Sequence, residues 1–115
     1  SLWLIAQVQE QVETDLCSTI PESAIISYMQ SGSKEMQPSN KYEAVMQKVF
    51  KNYADMVFMN FKKYRINTDL IPIVFIGGGS AVIKNFGTYD KNMTDFILDL
   101  KANAIGYENI YKLLS

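Results

Sequence analysis

Leu70-Ile71-Pro72-Ile73-Val74-Phe75-Ile76-Gly77-Gly78-Gly79-Ser80-Ala81-Val82-Ile83-Lys84 is the stretch that decides the fold. It reads as a buried strand, a tight glycine turn and the first turn of a helix. The apolar run from Ile71 to Ile76 is interrupted only by Pro72, which a strand tolerates at its start. Such a run predicts a strand covered on both faces. Gly77, Gly78 and Gly79 remove every Cβ from the turn, so the backbone can take φ > 0 and a ligand can approach it closely. Ser80 is placed to cap the next helix, whose free N–H groups and positive dipole end face the same point. Gly77 to Ser80 are therefore the candidate phosphate or nucleotide contacts, and the competing reading is tight strand–helix packing. Two common phosphate motifs are excluded. A dinucleotide GxGxxG needs glycine where Val82 stands, and a P-loop needs Gly-Lys-Ser/Thr, which Lys84 does not provide.

Upstream, Leu2, Ile5, Val8, Val12 and Leu16 recur at helical spacing, with Trp3 and Leu4 widening the apolar face. Cys17 closes this helix as a passive small hydrophobe. Thr19 and Glu22 match a capping box, Pro21 fits the first turn, and Ala24, Ile25, Tyr28 and Met29 form the buried face of a second helix ended by Gly32. Residues 31–40 read as a surface loop. Asn40 and Glu43 cap a long helix over Lys41 to Tyr64, whose Tyr, Phe, Met and Val residues recur at three- and four-residue steps as a core stripe. Lys62, Lys63 and Arg65 complement its dipole. Downstream, a short helix over Ala81 to Phe86 ends at Gly87, Phe96 to Leu98 is a short second strand, and Lys101 to Leu114 is a closing helix.

A chain of 115 residues, 48% hydrophobic and 20% charged with a net charge of −1, suits one domain with a real core. Without a basic excess, no dedicated nucleic-acid or anionic-membrane surface is expected. No apolar run approaches the ~20 residues of a membrane span. Histidine is absent and Cys17 is the single cysteine, which removes His-based catalysis and Cys/His metal sites and suits a reducing cytoplasm. The start at Ser1 inside an apolar segment reads as a fragment of something longer.

The order of elements resembles the C-terminal part of an actin-like ATPase, closest to the plasmid-segregation actins of the ParM/StbA type. Ile73-Val74-Phe75-Ile76-Gly77-Gly78-Gly79-Ser80 is similar to the family's adenosine motif, and Ala102-Asn103-Ala104-Ile105-Gly106-Tyr107 to the signature that opens its last helix. The long helix before the motif strand is also in place. The resemblance implies a helix-rich α/β fold, part of one ribonuclease H-like lobe, with residues 1–115 as a single-domain fragment. It implies ATP with Mg²⁺ in the parent protein, Gly77 and Gly78 against the ribose and α-phosphate, and Gly79 and Ser80 at the helix N-terminus. Asn103 and Gly106 would be structural. The implied partners are neighbouring protomers in a filament and a DNA-bound adaptor, in the cytoplasm. The chain departs from the family in having no Asp-x-Gly, the core of the two hairpins that hold the β/γ-phosphates and Mg²⁺. Phosphoryl transfer depends on that positioning, so these residues alone are expected to be inactive. Two other readings stay open: a non-enzymatic helical module that dimerises through the Tyr/Phe/Met face, and a small Rossmann-like binder, disfavoured by Val82.

Overall fold

A computed structural model describes residues 2–32, 40–98 and 110–113, with the backbone alone for Leu2 and for 110–113. Among these residues four helices and three strands follow in the order α1 (Leu2–Leu16), α2 (Glu22–Ser31), α3 (Lys41–Lys63), β1 (Ile73–Ile76), α4 (Ser80–Phe86), β2 (Thr94–Ile97) and β3 (Ile110–Leu113). This is a helix-rich α/β arrangement.

Helix α3, about 35 Å long at ~1.5 Å per residue, is the axis on which the rest is packed. Val45, Met46, Phe50, Tyr53, Ala54, Val57 and Phe61 are all buried. This part of the apolar stripe is thus core, whereas Met56 and Tyr64 on the same helix-spaced series are exposed. Leu4, Ile5, Val8 and Val12 of α1 join the same core. Tyr28 of α2, Phe50 of α3 and Phe86 of α4 form an aromatic trio with centroids 5.1–6.1 Å apart. At the other end of α3, Phe58 and Phe61 meet the edge of Phe75 on β1.

The sheet has the order β2-β1-β3. Strands β1 and β2 are parallel, pairing Ile73 with Thr94 and Phe75 with Phe96, and α4 lies in the connection between them. Strand β3 is antiparallel to β1, with Ile76 opposite Ile110. The burial of β1 alternates rather than running continuously: Ile73 and Phe75 are buried, whereas Val74 and Ile76 are half-buried. The strand is therefore not enclosed on both faces by the described residues. One face of the parallel pair meets α3, and the other leaves Ile97 exposed.

Local details depart from the sequence reading in several places. Helix α2 starts at Glu22 with Pro21 as its N-cap and no side-chain cap bond, so Thr19 and Glu22 do not form the expected box. Asn40 does cap α3, its Oδ1 accepting the Tyr42 N–H at 2.8 Å. Glu43 instead turns inward to Tyr28. Cys17 is exposed, with φ 49°, rather than packed as a small hydrophobe. The second strand begins at Thr94, two residues before Phe96. The closing helix is corrected at its end: residues 110–113 are extended and pair with β1. Residues 99–109, which include the Ala102–Tyr107 signature, lie outside the described residues, as do 33–39 of the 31–40 loop.

Candidate functional site

The glycine turn sits at the carboxyl end of β1, beside the end of the parallel β2. The Gly77 N–H donates to the carbonyl of Ile97 at 3.0 Å, which ties the turn to the last residue of β2. Gly77 has φ 112°, a conformation that L side chains rarely adopt, so glycine is required there by the backbone itself. From Gly77 the chain winds directly into α4. Carbonyls of Gly77, Gly78 and Gly79 accept from the N–H groups of Ser80, Ala81 and Val82 at 3.1, 3.3 and 3.2 Å. The Gly78 and Gly79 amides stand ahead of the first donor in that ladder.

The four expected contacts are not equivalent. Gly78 is exposed, whereas Gly77, Gly79 and Ser80 are buried. A Cβ built on Gly78 would meet nothing within 4 Å among the described residues. Ser80 is the first residue of α4 and fully buried; Gly79, with no side chain, occupies the N-cap position. The turn accordingly offers backbone rather than a hydroxyl. Ala81, Val82 and Ile83 anchor α4 in the core. Asn85 then fixes its far end, donating from Nδ2 to the carbonyls of Met29 and Gln30 at 2.8 and 3.1 Å. These are α2 C-terminal carbonyls, which the helix itself leaves without donors.

Two features differ from or add to the sequence reading: the inward pairing of Glu43, expected only as a cap, and a groove. Glu43 is 6% exposed, accepts the Tyr28 hydroxyl on Oε1 at 3.2 Å, and has no partner on Oε2 among the described residues. The Tyr28 phenol is pushed up to about 12, first by burial and further by the charge and hydrogen bond of Glu43, against a lowering bond from Gln47. The second feature is a groove of about 900 Å³ lined by Phe58, Met59, Lys62, Arg65, Ile66 and Tyr89 among others. Its walls come from the C-terminal part of α3 and the segments leading into β1 and β2, at the opposite end of the parallel pair from Gly77–Gly79. A smaller groove of about 420 Å³ lies around Lys84, Tyr89 and Lys91. Neither groove is lined by the glycine turn.

Among the described residues no three Cys, Asp or Glu side chains gather as a metal site, and no helix is long and apolar enough to cross a membrane. No family model, curated protein or solved structure matches this chain.

Proposed function

We propose that this chain is the adenosine side of the nucleotide cleft of a filament-forming actin-like ATPase that acts in plasmid segregation. The observation that carries the reading is the Cβ-free turn at the carboxyl end of two parallel strands, with no described residue within 4 Å of a Cβ at Gly78. In open α/β sheets, ligands settle at the carboxyl ends of parallel strands, where backbone amides meet phosphate or ribose oxygens. Gly77 and Gly78 would lie against the ribose and α-phosphate, with the backbone of Gly79 and Ser80 behind them. The residues present fit the adenosine end of ATP, because a flat surface without side chains is what the turn provides. They supply no carboxylate cluster for Mg²⁺ among the described residues, so metal ligation and hydrolysis are assigned to other parts of the parent protein.

Calorimetry of Mg-ATP with the intact parent protein, beside its Gly78→Val variant, tests this. Because a Cβ at Gly78 meets none of the described residues, valine should be accommodated without unfolding. Its branches would occupy the space assigned to the nucleotide. The expected result is binding by the wild type and a loss of at least about tenfold in the variant, or about 1.4 kcal/mol. Equal binding by both refutes the site.

A further inference from the structure

Helix α4 joins two neighbours, the glycine turn at its start and α2 at its finish. At the start, the carbonyls of Gly77, Gly78 and Gly79 accept from the N–H groups of Ser80, Ala81 and Val82. At the finish, Asn85 Nδ2 donates to the carbonyls of Met29 and Gln30 at 2.8 and 3.1 Å. An asparagine amide has two N–H donors, and α2 supplies an acceptor for each. The receiving end is itself shaped for contact: Gly32 caps α2 at φ 69°, and a Cβ there would lie 3.7 Å from the Asn85 Cβ. A helix of seven residues is about 10 Å long and too short to persist without tertiary contacts. What holds α4 therefore also sets where the turn lies. Ala81, Val82 and Ile83 seat it on the core, but apolar attraction is non-directional. It specifies rotation about the helix axis, and position along it, less sharply than hydrogen bonds with restricted angles do. Two such bonds to successive carbonyls fix both.

We infer that Asn85 is a positioning residue for the glycine turn: through α4, its two bonds to the end of α2 set the alignment at which Gly78 and Gly79 present their backbone. The role rests on the nucleotide reading for what the turn receives, and on the Asn85 geometry for how the turn is held. Asn85 is exposed, so alanine in its place opens no core cavity, and Ala81, Val82 and Ile83 still seat the helix. The loss then falls on the alignment of the turn. Coupling between two sites is reciprocal, so a nucleotide seated on the turn registers at the Asn85 side chain.

The test is ¹⁵N-resolved NMR of the intact protein, first without nucleotide and then titrated with Mg-ATP. In nucleotide-free Asn85→Ala, the amide resonances of Gly78, Gly79 and Ser80, at the far end of α4, should move. Asn85→Asp, equal in size but without a donor once ionised, should move them as well. Ile5→Val, buried on α1, lowers stability from elsewhere in the core and should leave them in place. With Mg-ATP, Kd should rise about fivefold in Asn85→Ala and stay within about twofold of wild type in Ile5→Val. In wild type, the Asn85 side-chain NH2 resonances should shift as the nucleotide saturates. Turn amides that stay in place in both Asn85 variants, or that move equally in Ile5→Val, overturn the positioning role. So does an unchanged Kd in Asn85→Ala, or an Asn85 NH2 pair that ignores bound nucleotide. If wild type binds no Mg-ATP, the nucleotide reading falls, and the nucleotide-free resonances alone decide whether Asn85 holds the turn.

Discussion

Replacing Tyr28 with phenylalanine removes one oxygen and leaves Glu43 buried with neither carboxylate oxygen bonded. The ring still fills its place against Phe50 and Phe86, so no cavity opens and the loss is polar. Stranding a buried acceptor costs about 1–3 kcal/mol near neutral pH. The pH dependence gives a second, independent handle. The Tyr28 phenol is raised from 10.0 to about 12 in the folded protein, chiefly by burial. Because the folded value exceeds the unfolded one, its contribution is complete below about pH 10 and is lost as pH rises through about 12. Two units correspond to about 3 kcal/mol. Urea unfolding of wild type and Tyr28→Phe at steps between pH 9 and pH 12 isolates this residue from the other tyrosines and lysines, since their titration cancels in the difference. The wild-type advantage should shrink by about 2 kcal/mol over that window, the remainder of the difference lying above pH 12. The tyrosinate absorbance that disappears in Tyr28→Phe should be absorbance that develops late, as pH approaches about 12. An advantage that does not change with pH, or a missing absorbance that develops near pH 10, would refute the buried Tyr28–Glu43 pair.

Two other substitutions probe the supports of the fold. Asn85→Ala removes both bonds to the α2 carbonyls and should cost about 1–2 kcal/mol in a thermal or urea melt; Asn85→Asp should cost more, because it sets a carboxylate against two carbonyl oxygens. Cys17→Gly relieves a positive φ at an exposed position and should stabilise by about 0.5–1 kcal/mol, read as a higher melting temperature, whereas Cys17→Val should lower it.

What could be read ahead of the structure was whatever repeats or is fixed by local chemistry. The α3 stripe from Val45 to Phe61 repeats often enough that only a buried helix satisfies it. Asn40 announces the start of α3, and Gly32 and Gly87 announce the ends of α2 and α4. The strand, glycine turn and helix over Ile73 to Phe86 were legible for the same reason. Features set by distant partners were not. Glu43 at the third helical position looked like half of a capping box, but Tyr28, fifteen residues away, draws it inward. Asn85 looks like a surface residue until α2 is placed beside it, fifty-six residues from Met29. An apolar run cannot report whether both faces of β1 are covered, because Val74 and Ile76 read the same half-buried or enclosed. The extended backbone at 110–113 is not legible because Ile110, Tyr111 and Leu114 also fit a helical spacing, and strand pairing to β1 is a tertiary choice. The groove was illegible because segments around residues 58, 66 and 89 meet there only in three dimensions.

The most direct measurement for the central claim is an amide NMR titration of the ¹⁵N-labelled protein with Mg-ATP, which registers even millimolar affinity. The account predicts that the largest shifts fall on Gly77, Gly78, Gly79, Ser80 and Ala81, with saturation lost in Gly78→Val. Shifts confined to the groove around Lys62, Arg65 and Tyr89 at the opposite end of the sheet, or no shifts at all, would contradict it.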